Sequence, residues 1–165
     1  MIMKKLILSL AVCICALTAS AQEKWAIGGR IGSGFQAQVD YNYSGDKYIE
    51  GRFGMSWCNS GAVLVADFTA LHNWNVCTMD WTPSAGEWFF DAGVGISVGG
   101  KEHYAYVGPA GCARLGIKFK GAPVKLSFDW TPVIGPHIGY GNGYSHAEFN
   151  SYGLANMGIS CVYCF

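Results

Sequence analysis

The chain has 165 residues with eleven basic and eleven acidic side chains, so its formal charge is zero; only 13% of residues are charged, while 51% are hydrophobic. A soluble domain carries about 25% charged residues, and a nucleic-acid or polybasic membrane-surface binder carries a cationic excess. Neither description fits. Glycine, at 23 positions, is roughly twice as frequent as the usual ~7%, and no segment after the first twenty residues is long and apolar enough for a transmembrane helix.

At the N-terminus, Lys4 and Lys5 precede an apolar stretch from Leu6 to Leu17, and Ala19-Ser20-Ala21 offers small residues for cleavage. This order predicts a secretory signal peptide over residues 1–21 and an exported domain over 22–165. Leu10-Ala11-Val12-Cys13 is similar to a lipobox, but Val12 is bulky where a small residue belongs, so the lipoprotein reading is set aside. Cys13 and Cys15 leave with the signal. Cys58, Cys77, Cys112, Cys161 and Cys164 then form an odd set without CxxC spacing, which indicates neither a zinc site nor a disulfide framework.

The exported part divides into eight runs separated by Gly, Pro, Asn, Ser and Asp, each with period two, the pattern of a strand with two unlike faces. Run one (about 24–33) sets Trp25, Ile27 and Ile31 against Lys24, Gly28 and Arg30. Run two sets Phe35, Ala37, Val39, Tyr41 and Tyr43 against Gln36, Gln38, Asp40 and Asn42. Run three (48–57) sets Ile49, Phe53, Met55 and Trp57 against Tyr48, Glu50, Arg52 and Ser56. Run four (about 62–76) places Phe68, Trp74 and Val76 opposite Asp67, Thr69, Asn73 and Asn75; alternation fails from Cys77, and Thr82 to Gly86 reads as the following turn. Run five (about 87–99) opposes Trp88, Phe90, Val94 and Ile96 to Glu87, Asp91 and Ser97. Run six (about 104–119) opposes Val107, Leu115, Ile117 and Phe119 to Tyr106, Arg114 and Lys118. Run seven (about 124–131) opposes Val124, Leu126, Phe128 and Trp130 to Lys125, Ser127, Asp129 and Thr131. Run eight (about 150–165) opposes Met157, Ile159, Cys161, Tyr163 and Phe165 to Tyr152, Asn156 and Ser160. No Asp, Glu, Lys or Arg falls on an apolar face.

Eight such runs joined in sequence predict an all-β, eight-stranded antiparallel up-and-down transmembrane β-barrel. A soluble lipocalin-like ligand-binding barrel would turn the apolar face inward, but an eight-stranded interior is barely wide enough for side chains, and this face carries large aromatics throughout. Turned outward, it becomes a lipid-facing band. The other face then brings Lys24, Arg30, Arg52, Arg114, Lys118 and Lys125 into one lumen with Asp40, Glu50, Asp67, Glu87, Asp91 and Asp129, where confined charges can pair. With both termini periplasmic, Trp25, Tyr43, Trp74, Trp88, Phe119, Tyr163 and Phe165 fall at one set of strand ends and Phe35 and Trp57 at the other. Ser44 to Lys47 and Lys120 to Pro123 read as tight turns. The opposite end is expected to carry exposed loops near Cys58 to Gly61, at Gly99 to His103, and, longest, from Gly135 to Phe149.

The chain ends Met157-Gly-Ile159-Ser-Cys161-Val-Tyr163-Cys-Phe165. This terminal Phe, with apolar residues on its alternating face, resembles the assembly signal of outer-membrane β-barrel proteins. The exported chain as a whole, with segments such as Gly116 to Gly121 and Leu126 to Pro132, looks like the small hypothetical barrels grouped with the OmpA/OmpX type. The resemblance implies residence in the outer membrane of a Gram-negative cell, contact with lipid and lipopolysaccharide, and insertion by the barrel-assembly machinery through Phe165. No peptidoglycan-binding domain is expected to follow.

The leading functional expectation is a non-enzymatic barrel with a structural or surface-interaction role and no open pore, since eight strands leave little lumen; any extracellular ligand is left unspecified. The enzymatic alternative is a lipid-modifying barrel acting on lipopolysaccharide acyl chains, for which Ser145, His146 and Glu148 supply a hydroxyl, an imidazole and a carboxylate. Members of a triad usually converge from separated positions, and these are adjacent. His103, His137 and His146 lack the spacing of a metal site. No catalytic, cofactor-binding or metal-ligating residue is therefore singled out. Deleting Phe165 is expected to lower the level of folded, membrane-inserted protein far more than deleting Gln22; equal levels, compared by immunoblot of washed membranes, would refute the terminal signal.

Overall fold

The computed structural model describes residues 24–57, 64–141, 144–150 and 152–165. The predicted signal peptide and the connection at Cys58 to Gly61 lie outside these residues. Ten strands form one antiparallel sheet: β1 Trp25–Gly32, β2 Gly34–Ser44, β3 Lys47–Ser56, β4 Val65–Met79, β5 Gly86–Lys101, β6 Tyr104–Phe119, β7 Val124–Trp130, β8 Gly135–Gly141, β9 Tyr144–Asn150 and β10 Met157–Cys164. Each of β1 to β6 pairs with its sequence neighbour, β7 pairs with β6 and β10, and β10 returns to β1. The sheet thus closes as an eight-stranded up-and-down barrel.

Closure places the pleat. Along β3, Phe53 is 66% exposed and its neighbour Arg52 1%. The same inside-outside division follows the other staves, with Ile31, Phe35, Ile49, Phe68, Val94, Phe128 and Ile159 outward and Arg30, Gln36, Glu50, Asp67, Asn73, Asp129 and Ser160 inward. The two faces drawn from period two are the two faces of the barrel wall, and the wall's apolar side is the outside.

Three departures from the expected runs have local causes. In β4 the register slips between Asn75 and Cys77, leaving Val76 without a partner on β5. An extra residue of this kind is a β-bulge, and it reverses the parity of everything after it, which is why alternation fails at Cys77. Beyond it the strand continues to Met79.

The seventh stave is broken. Pro132 follows β7 opposite Gly111 of β6 and cannot donate to the ladder; the strands touch there through the Ala110–Val133 bridge and the hydrogen bonds from Gly111 N to Pro132 O at 2.9 Å and from Ile134 N to Pro109 O at 3.1 Å. The eighth stave is broken at the same level by a 3-10 turn, Tyr152–Ala155. The carbonyls of Gly153 and Asn156 accept from Val133 N and Thr131 N, and that of Leu154 from Trp130 Nε1. The final strand therefore starts at Met157 rather than near 150.

The third departure is the segment from Gly135 to Phe149, expected as a loop. Instead, β8 and β9 form a hairpin, joined to β6 by the pairs Tyr104 with Gly139 through Tyr106 with His137. The β5–β6 connection is tighter than expected, only Glu102 and His103, with His103 at φ 67°.

Glycines admit the lumenal side chains. At Gly158 an added Cβ would fall 2.6 Å from Cζ of Arg30, whereas at Gly45, in the β2–β3 turn, it would meet nothing within 4 Å. Gly158→Val is expected to cost about 1–3 kcal/mol through overpacking and Gly45→Ala to stay within about 0.5 kcal/mol, compared by urea titration of the refolded barrel. Equal costs would show that Arg30 does not need the space.

Candidate functional site

The lumen is the only place where this chain concentrates chemistry among its described residues, and it has three levels. In the middle lies an ionic network. Asp129 of β7 accepts from Arg30 Nε of β1 at 2.9 and 3.0 Å and from Arg52 Nη1 of β3 at 3.2 Å. Thr131 Oγ1 accepts from Arg52 Nη1 and donates to Asp129, both at 2.9 Å, and Ser160 Oγ donates to Asp129 at 3.2 Å. Glu50 accepts from Arg52 Nε on its own strand, from Arg114 Nη2 of β6 at 2.7 and 2.8 Å, and from Asn73 Nδ2 of β4 at 2.6 Å. In a ring of eight, β3 and β7 are opposite walls, so the contact of Arg52 with Asp129 crosses the full bore.

The network branches at both ends. Arg30 donates to Gln36 Oε1 and Asn156 Oδ1, and Gln36 Nε2 donates to Asp67 at 2.6 Å. Arg114 Nη1 donates to the Tyr48 hydroxyl, which donates onward to Asp91, each at 2.8 Å. Of the twelve lumenal charges expected to pair, Arg30, Arg52, Arg114, Glu50 and Asp129 form the ion pairs. Asp40 and Asp67 are held by glutamine amides and Asp91 by Tyr48 and Asn75. Sequence reasoning placed Tyr48, Asn73 and Thr131 on the right face but had no means of identifying them as partners across the barrel.

Towards the end opposite the termini, the lumen holds an apolar cluster of Val65, Leu71, Tyr106, Ala110, Cys112 and Val133. The alternation rule passed over Leu71 because it stands among polar neighbours on the inner face. Towards the termini, the lumen opens into a cavity of about 560 Å³. Lys24, Glu87, Lys118 and Lys125, the remaining lumenal charges, line this vestibule rather than the central network.

The outer surface carries its own order. At the end with the termini, ring contacts join Trp25 to Tyr41, Tyr43 to His72, His72 to Trp74, Trp81 to Trp88 and Tyr163 to Phe165. At the other end Phe35 packs edge-on against Trp57. These are the two aromatic groups expected from the strand ends, extended by Trp81 from the β4–β5 turn.

The residues weighed for catalysis lie together on β9. Ser145 stands opposite Tyr140, His146 opposite Gly139 and Glu148 opposite His137. Ser145 has the opposite strand parity to His146 and Glu148, and such positions belong to different faces; the backbone does not bring the three together. His103 lies in the β5–β6 turn beside Glu102, whereas His137 receives or donates a 2.8 Å hydrogen bond through Nδ1 with the Tyr104 hydroxyl. Among the described residues no three His, Cys, Asp or Glu side chains gather to hold a metal. Cys77, Cys112 and Cys161 are free thiols, Cys112 being buried, and Cys164 is buried too.

No protein-family model, no curated protein and no solved structure matches this chain.

Removing one member of a buried ion pair leaves the other charge uncompensated, which costs about 3–5 kcal/mol. Asp129→Asn leaves Arg30 without a carboxylate and Arg52 with Glu50 alone, and is expected to cost that much, while Asp80→Asn, at an exposed position, stays within about 0.5 kcal/mol. Urea titrations of the two refolded variants measure the difference. Similar values would remove the network from the account of stability.

Proposed function

We propose that the protein is an integral outer-membrane β-barrel without an open pore, serving envelope structure or surface interaction. The observation that carries this reading is the orientation of the wall. Exposed Ile27, Phe35, Ile49, Phe53, Met55, Val94, Ile96, Phe128 and Ile159 form a belt around the barrel, and a soluble monomer rarely exposes an apolar patch beyond a few hundred Å². A lipocalin-like barrel needs the opposite orientation. Here the interior is spanned by arginines and carboxylates.

Three further features support it. Closure pairs the eight staves around a ring, β10 returning to β1, as hydrocarbon demands of a spanning sheet. The aromatic groups lie at the two ends of the belt, where transmembrane barrels carry their girdles. The ionic network and apolar cluster obstruct the bore, so steady solute flow through the wall is not its task. The β8–β9 hairpin, at the end away from the termini, is the element this reading assigns to surface contacts. No arrangement of residues favours the acyl-modifying alternative.

The protein is expected in outer-membrane fractions, extractable by detergent, with different gel mobility before and after boiling. In lipid vesicles Phe53→Arg should cost about 2–4 kcal/mol, because hydrocarbon offers the cation no partner. Arg52→Lys, which keeps charge but loses the planar fork, should cost less, and Arg52→Phe more than Arg52→Lys. Recovery as a soluble periplasmic monomer, or a harmless Phe53→Arg beside a severe Arg52→Lys, would overturn the membrane reading.

A further inference from the structure

The outer wall carries one charge that the apolar belt does not account for. Sequence reading left Lys47 in a turn, but β3 begins with it, opposite Trp74 of β4. It stands in step with the outward residues Ile49 and Phe53, and it is exposed. Among the described strand residues it is the only charged one at an outward register position. It has no ion pair and no side-chain hydrogen bond among them. The outward positions of β2, β3 and β4 hold no carboxylate. Asp46, next to Lys47 in the chain, lines the vestibule on the inner side of the wall.

Two polar neighbours face the same way. Tyr43 of β2 and His72 of β4 lie on either side of β3, and the Tyr43 hydroxyl and His72 Nε2 share a hydrogen bond across it. His72 stands opposite Ile49, the outward residue that follows Lys47. Whichever way this bond runs, one donor is left over. If the hydroxyl donates, the imidazole keeps its other N–H; if the imidazole donates, the hydroxyl keeps its proton. Neither side chain has a second hydrogen-bond partner among the described residues. An ammonium beside a spare neutral donor, with no carboxylate on that face, suits an anionic oxygen group.

A second observation bears on what that group is attached to. Towards the middle of the belt, the next outward positions are Gly51 and its cross-strand partner Ala70. A Cβ added at Gly51 would meet nothing nearer than the Val39 carbonyl oxygen at 4.0 Å. Beyond them stand Phe53 and Phe68, paired with each other and both exposed. The wall is therefore low between Ile49 and Phe53, and the low stretch begins at the polar cluster. A hydrocarbon chain tied to the anionic group buries apolar surface in such a trough, whereas a free ion leaves it empty.

We propose that Lys47, Tyr43 and His72 form a binding site for the phosphodiester of a glycerophospholipid, with one acyl chain lying over Gly51 and Ala70. Lys47 donates a charge-assisted hydrogen bond to one phosphate oxygen, and the spare donor of the Tyr43–His72 pair serves another. The proposal rests on the membrane reading above and adds to it the class of lipid and the place. The cluster lies at the end with the termini, among the aromatic groups, the height at which a transmembrane barrel meets headgroups.

The test uses the folded barrel in uncharged maltoside micelles, titrated with dioleoylphosphatidylglycerol, with dioleoylglycerol and with inorganic phosphate. Native mass spectrometry counts bound lipid, and amide NMR shifts locate it. The phospholipid is expected to bind saturably and to shift the amides around Tyr43, Lys47 and His72. A lysine at a lipid surface contributes a factor of about five, so Lys47→Gln should weaken binding by about that much. Lys120→Gln should leave it unchanged, because that ammonium is held by the Pro83 carbonyl at the same end of the barrel. Tyr43→Phe combined with His72→Phe removes both donors and should weaken binding more than either change alone, since each single variant keeps one donor. Folding of every variant is checked by heat-dependent gel mobility, and Lys47→Met replaces Lys47→Gln should the latter misfold. Dioleoylglycerol binding as tightly as the phospholipid, or equal weakening by Lys47→Gln and Lys120→Gln, would overturn the site. Inorganic phosphate binding as tightly as the phospholipid would overturn the assignment to a lipid. A barrel that stays monomeric in solution without detergent overturns the membrane reading and the site together, whereas failure of the site alone leaves the barrel dependent on detergent.

Discussion

Arg52 on β3 and Asp129 on β7 stand on opposite walls of the barrel, and the 3.2 Å contact between their side chains is the constraint around which the interior is organised. Each already has a second partner, Glu50 for Arg52 and Arg30 for Asp129, and Glu50 in turn holds Arg114. Four staves are thereby tied through the lumen as well as through their ladders. A buried ionic network is weak evidence for net stability, since well-packed apolar residues often do as well. Its stronger consequence is register. A slip of one residue in β3 would turn Arg52 and Glu50 outward and Phe53 inward, placing two charges on the apolar belt and a ring in the ionic centre. The network therefore selects one pairing among those the ladders alone would allow.

The same centre decides what the barrel can do. Towards the end away from the termini lies the apolar cluster around Leu71 and Tyr106; towards the termini the vestibule opens. On the reading proposed above, the belt meets lipid, the hairpin of β8 and β9 meets the outside, and the vestibule faces the periplasm.

Much of the fold was legible because a barrel wall separates two environments at every residue, so period two runs through the sequence with unusual fidelity. Arg52 beside Phe53 is readable without coordinates. The misreadings occur where something interrupts that period. The unpaired Val76 reversed the parity of β4, and Pro132 interrupted the seventh stave. The β8–β9 hairpin passed for a loop because glycines and histidines gave it neither face. Leu71 and Phe89 were given to neither face because an apolar side chain there did not fit the polar inner pattern, although the lumen holds both kinds.

The tetrapeptide Asp-Trp-Thr-Pro shows where sequence stops. At residues 80–83 it makes the β4–β5 turn, with Thr82 O accepting from Ala85 and Gly86 and Thr82 Oγ1 from Trp88 Nε1. At 129–132 the same four residues end β7, and Asp129 and Thr131 become part of the ionic centre. By itself the sequence determined the all-β class, the eight staves and the side of the wall each residue takes, because hydrophobic alternation is a local property and the pleat converts it directly into two faces. Only the tertiary structure decided which lumenal charges meet, where the apolar cluster gathers and which residues line the vestibule. Those depend on which strands stand opposite one another, and a closed ring brings together residues as far apart as Arg52 and Asp129 by curvature that no local pattern encodes.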